Sequence, residues 1–260
     1  MTLAMDPRLI AALLDWQAEL GADEFIGDQG VDRFALPEAV VRAAPAPVAA
    51  AAPVPSATAT DPVAEAAAMA ARATDLGTLA GLQASYPHCE LRKGARNFVF
   101  SDGRPGARVM LVGEAPGADE DRQGKPFVGR AGQLLDRMLA AIGLGRHAPD
   151  PGRAVYITNV LPWKPPGNRD PEPAEIAMML PFLRRHIEFA APEVLVLVGN
   201  HSCQAILGQR GITKLRGQWT EALGLPVLPM LHPAYLLRNP YAKREAWADL
   251  LTLQAKLETP

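Results

Sequence analysis

Four short apolar runs, separated by segments of helical periodicity, constrain the fold of this chain more than any other feature. The runs are Arg108–Val112, Ala154–Thr158, Glu193–Val198 and Leu225–Leu231. Three of them are rich in Val, Leu and Ile without polar alternation, which is typical of parallel strands covered on both faces. The alternation of strands and helices therefore predicts an α/β fold, with an open, mostly parallel four-stranded sheet and helices on both faces in three α/β/α layers.

The N-terminal quarter of the chain reads as an appendage to this sheet. An Asp-Pro helix start and one apolar stripe predict an N-terminal helical segment within residues 1–35. Residues 43–62 hold nine alanines and five prolines, which favours an extended linker, so residues 36–74 are predicted as linker and helix lead-in. The main domain is expected over residues 75–260. The N-terminal helix is expected either to dock on that domain or to bind a protein partner.

Charge and cysteine usage narrow the class of protein without choosing a function. Residues 1–80 hold 11 acidic and 4 basic residues, whereas residues 81–260 hold 17 and 22. The mildly basic second part suits a phosphate-bearing partner, and it suits an ordinary solvated surface equally well. Cys89 and Cys203 make neither a disulfide framework nor a metal knuckle, and no run of 18 apolar residues could span a membrane. We expect a monomeric cytoplasmic protein that makes no membrane contact.

The residues that follow the strands are where this fold predicts chemistry. In an open parallel sheet, ligands bind outside the carboxyl ends of the strands. Here those positions hold Glu114, Asn159, Asn200 and His232. A carboxylate, an amide and an imidazole are therefore expected to converge on one edge of the sheet.

The loop after the first strand is not a nucleotide-binding loop. A P-loop needs four residues between its first glycine and a Gly-Lys pair, whereas six residues separate Gly117 from Gly124 here, and Pro126 stands where Ser or Thr is required. Glu114 occupies the place of the second glycine of a dinucleotide-binding loop, where it would repel phosphate. Both common phosphate-binding motifs are excluded.

Four ordered stretches carry a family resemblance. They are GEAPGADEDRQGKPFVGRAGQLLDRML (113–139), TNVLPWKPPGNRDPEPAEI (158–176), LVLVGNHSCQAILG (195–208) and LHPAYLLR (231–238). Together they resemble the motifs of the uracil-DNA glycosylase superfamily, in particular its family 4, over about residues 80–257. The resemblance implies an enzyme of base excision repair that flips uracil out of DNA and hydrolyses its N-glycosidic bond, leaving an abasic site.

The resemblance also implies which residues recognise the base. Asn159 is expected to pair with uracil, because an amide can donate to O4 and accept from N3–H at once, a pattern that cytosine reverses. Phe127 is expected to stack on the flipped base, with anchoring of its loop to the core as the alternative. Ala115 and Glu120 are expected in the uracil pocket.

Two further residues are expected to carry the chemistry. His232 would donate a hydrogen bond to uracil O2, where negative charge develops as the base leaves. Glu114 would stabilise the cationic sugar and orient the attacking water. The division of labour between Glu114 and Glu120 stays open, since an acidic run can also be a solvated surface.

Contacts with DNA are expected from the last motif and from scattered basic residues. Leu236 and Leu237 are predicted as an apolar wedge that fills the vacated base stack, with packing of the last helix as the alternative. Arg238 is predicted to contact a phosphate. Further phosphate contacts are predicted from four residues: Lys164, Arg169, Lys214 and Arg216.

One departure from the family bears on its cofactor. Family 4 members typically hold a [4Fe–4S] cluster on four cysteines, and the matching positions here are Tyr86, Cys89, Trp163 and Met179. One thiolate cannot hold such a cluster, so we expect none, and we expect these side chains to fill the space as a small packed core. The resemblance implies no metal or organic cofactor in its place.

Rival functions remain open on the sequence. One is a glycosylase for another lesion, such as hypoxanthine, and another is a non-catalytic DNA-binding relative. Because no lysine stands at a strand-end motif, Schiff-base lyase chemistry is not expected, and the enzyme would be a monofunctional glycosylase.

Overall fold

The central sheet is built from the four predicted strands. A computed structural model describes residues 61–258 of the chain. Strands β2 (Val109–Gly113), β3 (Val155–Asn159), β4 (Val194–Val198) and β6 (Leu225–Met230) lie parallel in the spatial order β3-β2-β4-β6. Every residue of β2, β3 and β4 is buried, which explains why their sequences lack polar alternation.

Two short antiparallel strands extend the sheet to six, where the sequence predicted four. Strand β1 (Asp102–Gly103) pairs with β3, and β5 (Thr220–Ala222) pairs with β6. The full order is β1-β3-β2-β4-β6-β5. The two edge strands have two and three residues, and none of those residues is buried. They therefore carry no apolar run that could have revealed them.

Helices cover both faces of the sheet, as predicted. One face packs against α1, α2, α6 and α7, and the other against α5 and α10. The helices are α1 (Pro62–Ala71), α2 (Leu76–Ser85), α3 (Leu91–Gly94), α4 (Ala118–Gln123), α5 (Arg130–Ala140), α6 (Pro173–Ala190), α7 (Asn200–Leu207), α8 (Ile212–Leu215), α9 (Pro233–Arg238) and α10 (Lys243–Glu258). Short 3₁₀ turns lie at Pro151–Arg153, Pro166–Asn168 and Pro240–Ala242.

Helix α1 lies in the segment predicted as linker and helix lead-in. Asp61 caps it by accepting from the Val63 backbone N–H, and Pro62 occupies its first position. Ala66 and Ala70 are buried in the core beneath it, so the folded core includes residues that precede 75. The predicted helix of residues 1–35 and most of the Ala/Pro-rich linker lie outside the described residues.

The register of the sheet brings the functional candidates to one edge. Gly113 pairs with Asn159, so β2 and β3 end side by side. The Gly199 backbone N–H donates to the Met230 carbonyl, which aligns the ends of β4 and β6. The residues after all four parallel strands therefore meet at one edge. Over residues 61–258, every helix is too short or too polar to cross a bilayer.

Candidate active site

A cavity of about 670 Å³ lies at the carboxyl edge of the parallel strands. Its walls come from the segments after β2, β3, β4 and β6, as the fold predicts. All six residues predicted for catalysis and base recognition line it together: Glu114, Ala115, Glu120, Phe127, Asn159 and His232.

Asn159 presents a buried amide to this cavity. The residue is 7% exposed, and within residues 61–258 no group hydrogen-bonds to its side chain. A Cβ at Gly113 would come within 2.4 Å of Asn159 Oδ1 and 2.5 Å of Phe127 Cε2, so only glycine leaves room for both side chains. Because the amide faces the cavity, a ligand of matching polarity can pair with it, whereas a ligand of opposite polarity would bury it unpaired at a cost of about 1–3 kcal/mol.

Phe127 forms one wall of the cavity in a backbone conformation that bulky residues avoid. Its φ is +52°, in the left-handed region, and its ring is buried and stacked on His232 at 5.5 Å between centroids. A Cβ at Gly132 would lie 1.8 Å from the Phe127 carbonyl oxygen, so α5 approaches this residue closely. Strain of this kind persists only where the surroundings hold the residue in place.

Arg146 holds the Phe127 loop from behind, and sequence reasoning missed it. Its buried guanidinium donates to the carbonyl oxygens of Pro126 and Phe127 at 2.9 and 2.8 Å. It also donates to Asp136 at 2.9 Å and to Asp102 at 3.0 Å. Because these partners are distant in sequence, no local pattern could have singled out Arg146.

Replacement of Arg146 is predicted to destabilise the protein and to slow any reaction that needs Phe127. Arg146→Met would leave the Asp102 carboxylate with only the more exposed Lys125 as a cationic partner and would leave two loop carbonyls unpaired, so the free energy of unfolding should fall by about 3–5 kcal/mol. Chemical denaturation monitors this change, and Arg146→Lys, which keeps the charge, should lose less. Equal stability of the wild type, Arg146→Met and Arg146→Lys would show that the hydrogen bonds of Arg146 do not hold the Phe127 loop.

His232 caps α9 with one nitrogen and leaves the other free to donate. Its Nδ1 accepts from the Ala234 backbone N–H at 3.1 Å, so a neutral ring carries its proton on Nε2. Burial, together with the neighbouring Arg238 and His201, lowers the pKa of His232 to about 4. At neutral pH the residue is therefore a neutral imidazole with a fixed donor.

Glu120 is committed to the backbone of its own loop. One carboxylate oxygen accepts from the N–H groups of Val128 and Gly129 at 2.9 and 2.8 Å, and the other accepts from Gly117 at 3.1 Å. The carboxylate lines the cavity, but its hydrogen bonds hold the loop that carries Phe127.

Glu114 lies in a group of ionisable residues that the sequence did not reveal. His201 Nε2 is 3.7 Å from Glu114 Oε2 and 3.7 Å from Asp170 Oδ2. Burial raises the pKa of Glu114, His201 lowers it and Asp170 raises it, with a net increase. One ligand atom from each of the three residues lies within 4.8 Å of the others, so they could hold a metal ion. Arg210, also missed, lines the same cavity.

Comparison with known proteins decides the family. The family model for the Uracil DNA glycosylase superfamily matches residues 100–251. The chain belongs to the uracil-DNA glycosylase superfamily. It is 40% identical to a type-4 uracil-DNA glycosylase of Sulfurisphaera tokodaii over 186 residues, which are 68% of this chain and 82% of that protein.

Two other relatives of this superfamily member give the same picture. The type-4 uracil-DNA glycosylase of Archaeoglobus fulgidus is 40% identical over 62% of this chain and 82% of its own length. That of Thermotoga maritima is 41% identical over 58% of this chain and 77% of its own length. The family 4 resemblance seen in the motifs is thereby confirmed.

The two leucines predicted as a wedge differ in burial, since Leu236 is buried and Leu237 is half-buried. Leu236 is fully buried in a cluster with Leu134 and Ala246, so in this conformation it packs the last motif and cannot enter DNA. Leu237 is half-buried beside it. Arg238 is exposed and lines the cavity.

The other predicted phosphate contacts have different surroundings. Arg216 is paired with the buried Asp249, so its charge is already neutralised. Arg169 lines the cavity but forms a bidentate pair with Glu175 at 2.6 and 3.0 Å. Lys214 is exposed on α8, and Lys164 is half-buried with its Nζ 3.4 Å from the Pro165 carbonyl oxygen. Of the four, Lys214 is both exposed and, within residues 61–258, outside any ion pair.

The positions that match the family's cluster cysteines lie in the hydrophobic core. Type-4 relatives usually carry an iron–sulfur cluster. Here the Tyr86 hydroxyl donates to the Pro62 carbonyl at 2.7 Å, and its ring packs edge-on against Phe182. Burial raises the pKa of the Cys89 thiol to about 11. All four side chains are buried in the same cluster: Tyr86, Cys89, Trp163 and Met179.

Proposed function

We propose that this protein is a uracil-DNA glycosylase that flips uracil out of DNA and hydrolyses its N-glycosidic bond. The observation that carries the proposal is the free, buried Asn159 amide, which shares one cavity with His232 and Glu114. The type-4 glycosylase relatives support the same enzyme class.

Base recognition follows from hydrogen-bond polarity. The Asn159 amide donates to uracil O4 and accepts from N3–H, while the Phe127 ring stacks on the base. Cytosine would oppose donor to donor and acceptor to acceptor, leaving buried groups unpaired. Ala115 lines the pocket, and Glu120 supports it by holding the loop of Phe127.

The reaction develops negative charge on the base and positive charge on the sugar, and we assign the stabilisation of these charges to His232 and Glu114. The bond between C1′ and N1 breaks, and its electron pair goes to the uracil ring, where His232 Nε2–H donates to O2. The cationic sugar is attacked at C1′ by water, whose proton passes to the Glu114 carboxylate. The products are an abasic site and the uracil anion, which takes up a proton on release as Glu114 returns its own to solvent, and no lyase step follows.

DNA engagement is assigned to the exposed part of the last motif. The target nucleotide must leave the stack at a cost of a few kcal/mol. Leu237 is proposed as the wedge in place of the buried Leu236, and Arg238 as a phosphate contact at the cavity. Arg210 at the cavity and the exposed Lys214 add positive charge.

The test is excision from a labelled single-stranded oligonucleotide with one uracil, followed by alkaline strand cleavage. The expected result is alkali-dependent cleavage at the uracil position. A parallel panel with hypoxanthine and mismatched thymine tests the rival glycosylase, and binding without cleavage would identify a non-catalytic relative. Intact strands at every enzyme excess, in single strands and duplex, would refute the uracil-glycosylase proposal.

The four positions of the family's cluster do not fit a cluster, and we propose that the protein works without one. One thiol, two aromatic rings and a thioether cannot supply four thiolates, and their side chains are packed in the core.

Cys89→Ala is therefore predicted to keep full uracil excision, with a stability loss of only about 1 kcal/mol from the small volume removed. Iron analysis of the purified protein accompanies the assay. Stoichiometric iron, with loss of iron and activity in Cys89→Ala, would contradict the proposal.

The remaining assignments concern partners and place. We propose a monomer that acts on uracil-containing DNA in the bacterial cytoplasm, where the nucleoid supplies its substrate. The segment before residue 61 is proposed to bind a protein partner, so deleting it should leave excision unchanged in a purified assay.

A further inference from the structure

We propose that His201 is a positioning residue for Glu114, and that it donates from Nε2 to orient the carboxylate toward the attacking water. The inference deepens the proposed function and rests on it. His201 is not among the residues that the motifs singled out.

The fold places the buried His201 side chain beside the Glu114 carboxylate and leaves it little freedom to move. It is the second residue of α7, directly after β4, and is 5% exposed. Gly199, which precedes the helix, has φ +95°, and a Cβ there would approach His232 Cβ at 3.3 Å. The chain therefore turns sharply between β4 and α7 and points the imidazole at Glu114.

The buried nitrogen of His201 fixes where the proton sits. Nδ1 is buried and has no hydrogen-bond partner within residues 61–258. A proton there would be an unpaired buried donor, while the lone pair of Nε2 would face two carboxylates. With the proton on Nε2, the donor instead faces Glu114 and Asp170, each at 3.7 Å. Both considerations select the Nε2–H tautomer.

The same tautomer argues against a metal ion at these three residues. A metal bound to Nε2 would move the proton to Nδ1, and metal-bound histidines almost always donate that second N–H to an acceptor. The described part of the chain offers Nδ1 no such acceptor. A hydrogen-bonded carboxylate is the better account of the cluster.

The distance of 3.7 Å between His201 Nε2 and Glu114 Oε2 is within ion-pair range. It is longer than a hydrogen bond, in which the heavy atoms are about 2.7–3.2 Å apart. Catalytic hydrogen bonds are often long without substrate and tighten when the substrate is bound. A nucleotide that fills the cavity would displace water from Glu114 and strengthen its attraction to the Nε2–H group. Holding one carboxylate oxygen leaves the other for the water.

Three charged or titratable groups set the protonation of Glu114, and their effects oppose one another. Beyond burial, His201 lowers its pKa, Asp170 raises it and Arg210 lowers it. His232 faces His201 from the end of β6. Removing His201 should therefore raise the pKa of Glu114, and removing the charge of Asp170 should lower it.

The experiment compares pH–rate profiles of single-turnover uracil excision for the full-length wild type and three variants: His201→Leu, His201→Gln and Asp170→Asn. Glu114 must be ionised to accept a proton, so its pKa sets the acid limb of the profile. His201→Leu should lower the maximal rate by about 10- to 100-fold and move the acid limb to higher pH. His201→Gln keeps a donor near the place of Nε2 and should recover most of the rate. Asp170→Asn should move the acid limb to lower pH.

Opposite movements of the acid limb distinguish positioning from a structural role, which would lower all rates without moving the limbs. Unchanged limbs in folded His201→Leu and Asp170→Asn would overturn the inference. So would wild-type activity that is lost with EDTA and restored by Zn²⁺ or Mn²⁺, which would assign the cluster to a metal. A wild type that excises no uracil would refute the proposed function instead.

Discussion

His232→Asn is expected to lower the single-turnover rate of uracil excision by about 100- to 1,000-fold, the usual effect of losing one donor to a developing oxyanion. The neutral ring donates from Nε2 because Nδ1 caps α9. Asparagine is itself a good helix cap, so it can replace the bond to the Ala234 N–H, but it does not reach uracil O2. The variant therefore separates the donor from the fold.

His232→Gln is the matched control for this prediction. Its longer amide places a donor near the position of Nε2 and should recover part of the lost rate. Thermal denaturation should show both variants folded. A His232→Asn enzyme with a wild-type rate would remove His232 from the chemistry and leave it as a helix cap.

Asn159→Asp is expected to abolish most of the preference for uracil over cytosine as well as slow the enzyme. An ionised carboxylate only accepts, so it would repel uracil O4, whereas it could accept from the exocyclic amino group of cytosine. Sites built on complementary hydrogen bonds discriminate by about 10⁴- to 10⁵-fold, so the preference for uracil over cytosine should fall by roughly 10⁴-fold. Single-turnover excision from matched oligonucleotides with one uracil or one cytosine measures both rates.

Asn159→Ala distinguishes loss of uracil recognition from a gain of activity on cytosine. It should slow uracil excision without any gain on cytosine, because it offers neither donor nor acceptor. If Asn159→Asp removed uracil as fast as the wild type, the amide would have no part in recognising the base. Another group in the cavity would then have to recognise uracil.

The features that could be predicted from the sequence are those that produce a local pattern of apolar residues, namely the parallel strands. Three of the four parallel strands are buried along their whole length, so their apolar runs were continuous, and the edge of the sheet followed from topology. The short strands β1 and β5 have no such run. The resemblance to family 4 then implied the roles of Asn159 and His232, and hydrogen-bond polarity gave a physical reason for them.

Long-range contacts explain what the sequence did not give. Arg146 matters through partners as far away as Asp102, and His201 through Glu114 and Asp170. Leu236 looked like a wedge because its motif is short and apolar, but α5 and α10 contribute the side chains that bury it. Burial of that kind depends on which helices meet, and a single motif carries no information about it.

The four core side chains at the family's cluster positions have a consequence for how this protein is made. In a protein whose four cysteine thiolates bind an iron–sulfur cluster, the native state depends on cluster assembly and on the supply of iron. Here Tyr86, Trp163 and Met179 are already part of the core when the chain folds. On the proposal that the protein holds no cluster, a newly made chain would reach its working form without iron, and uracil excision would continue when iron is scarce.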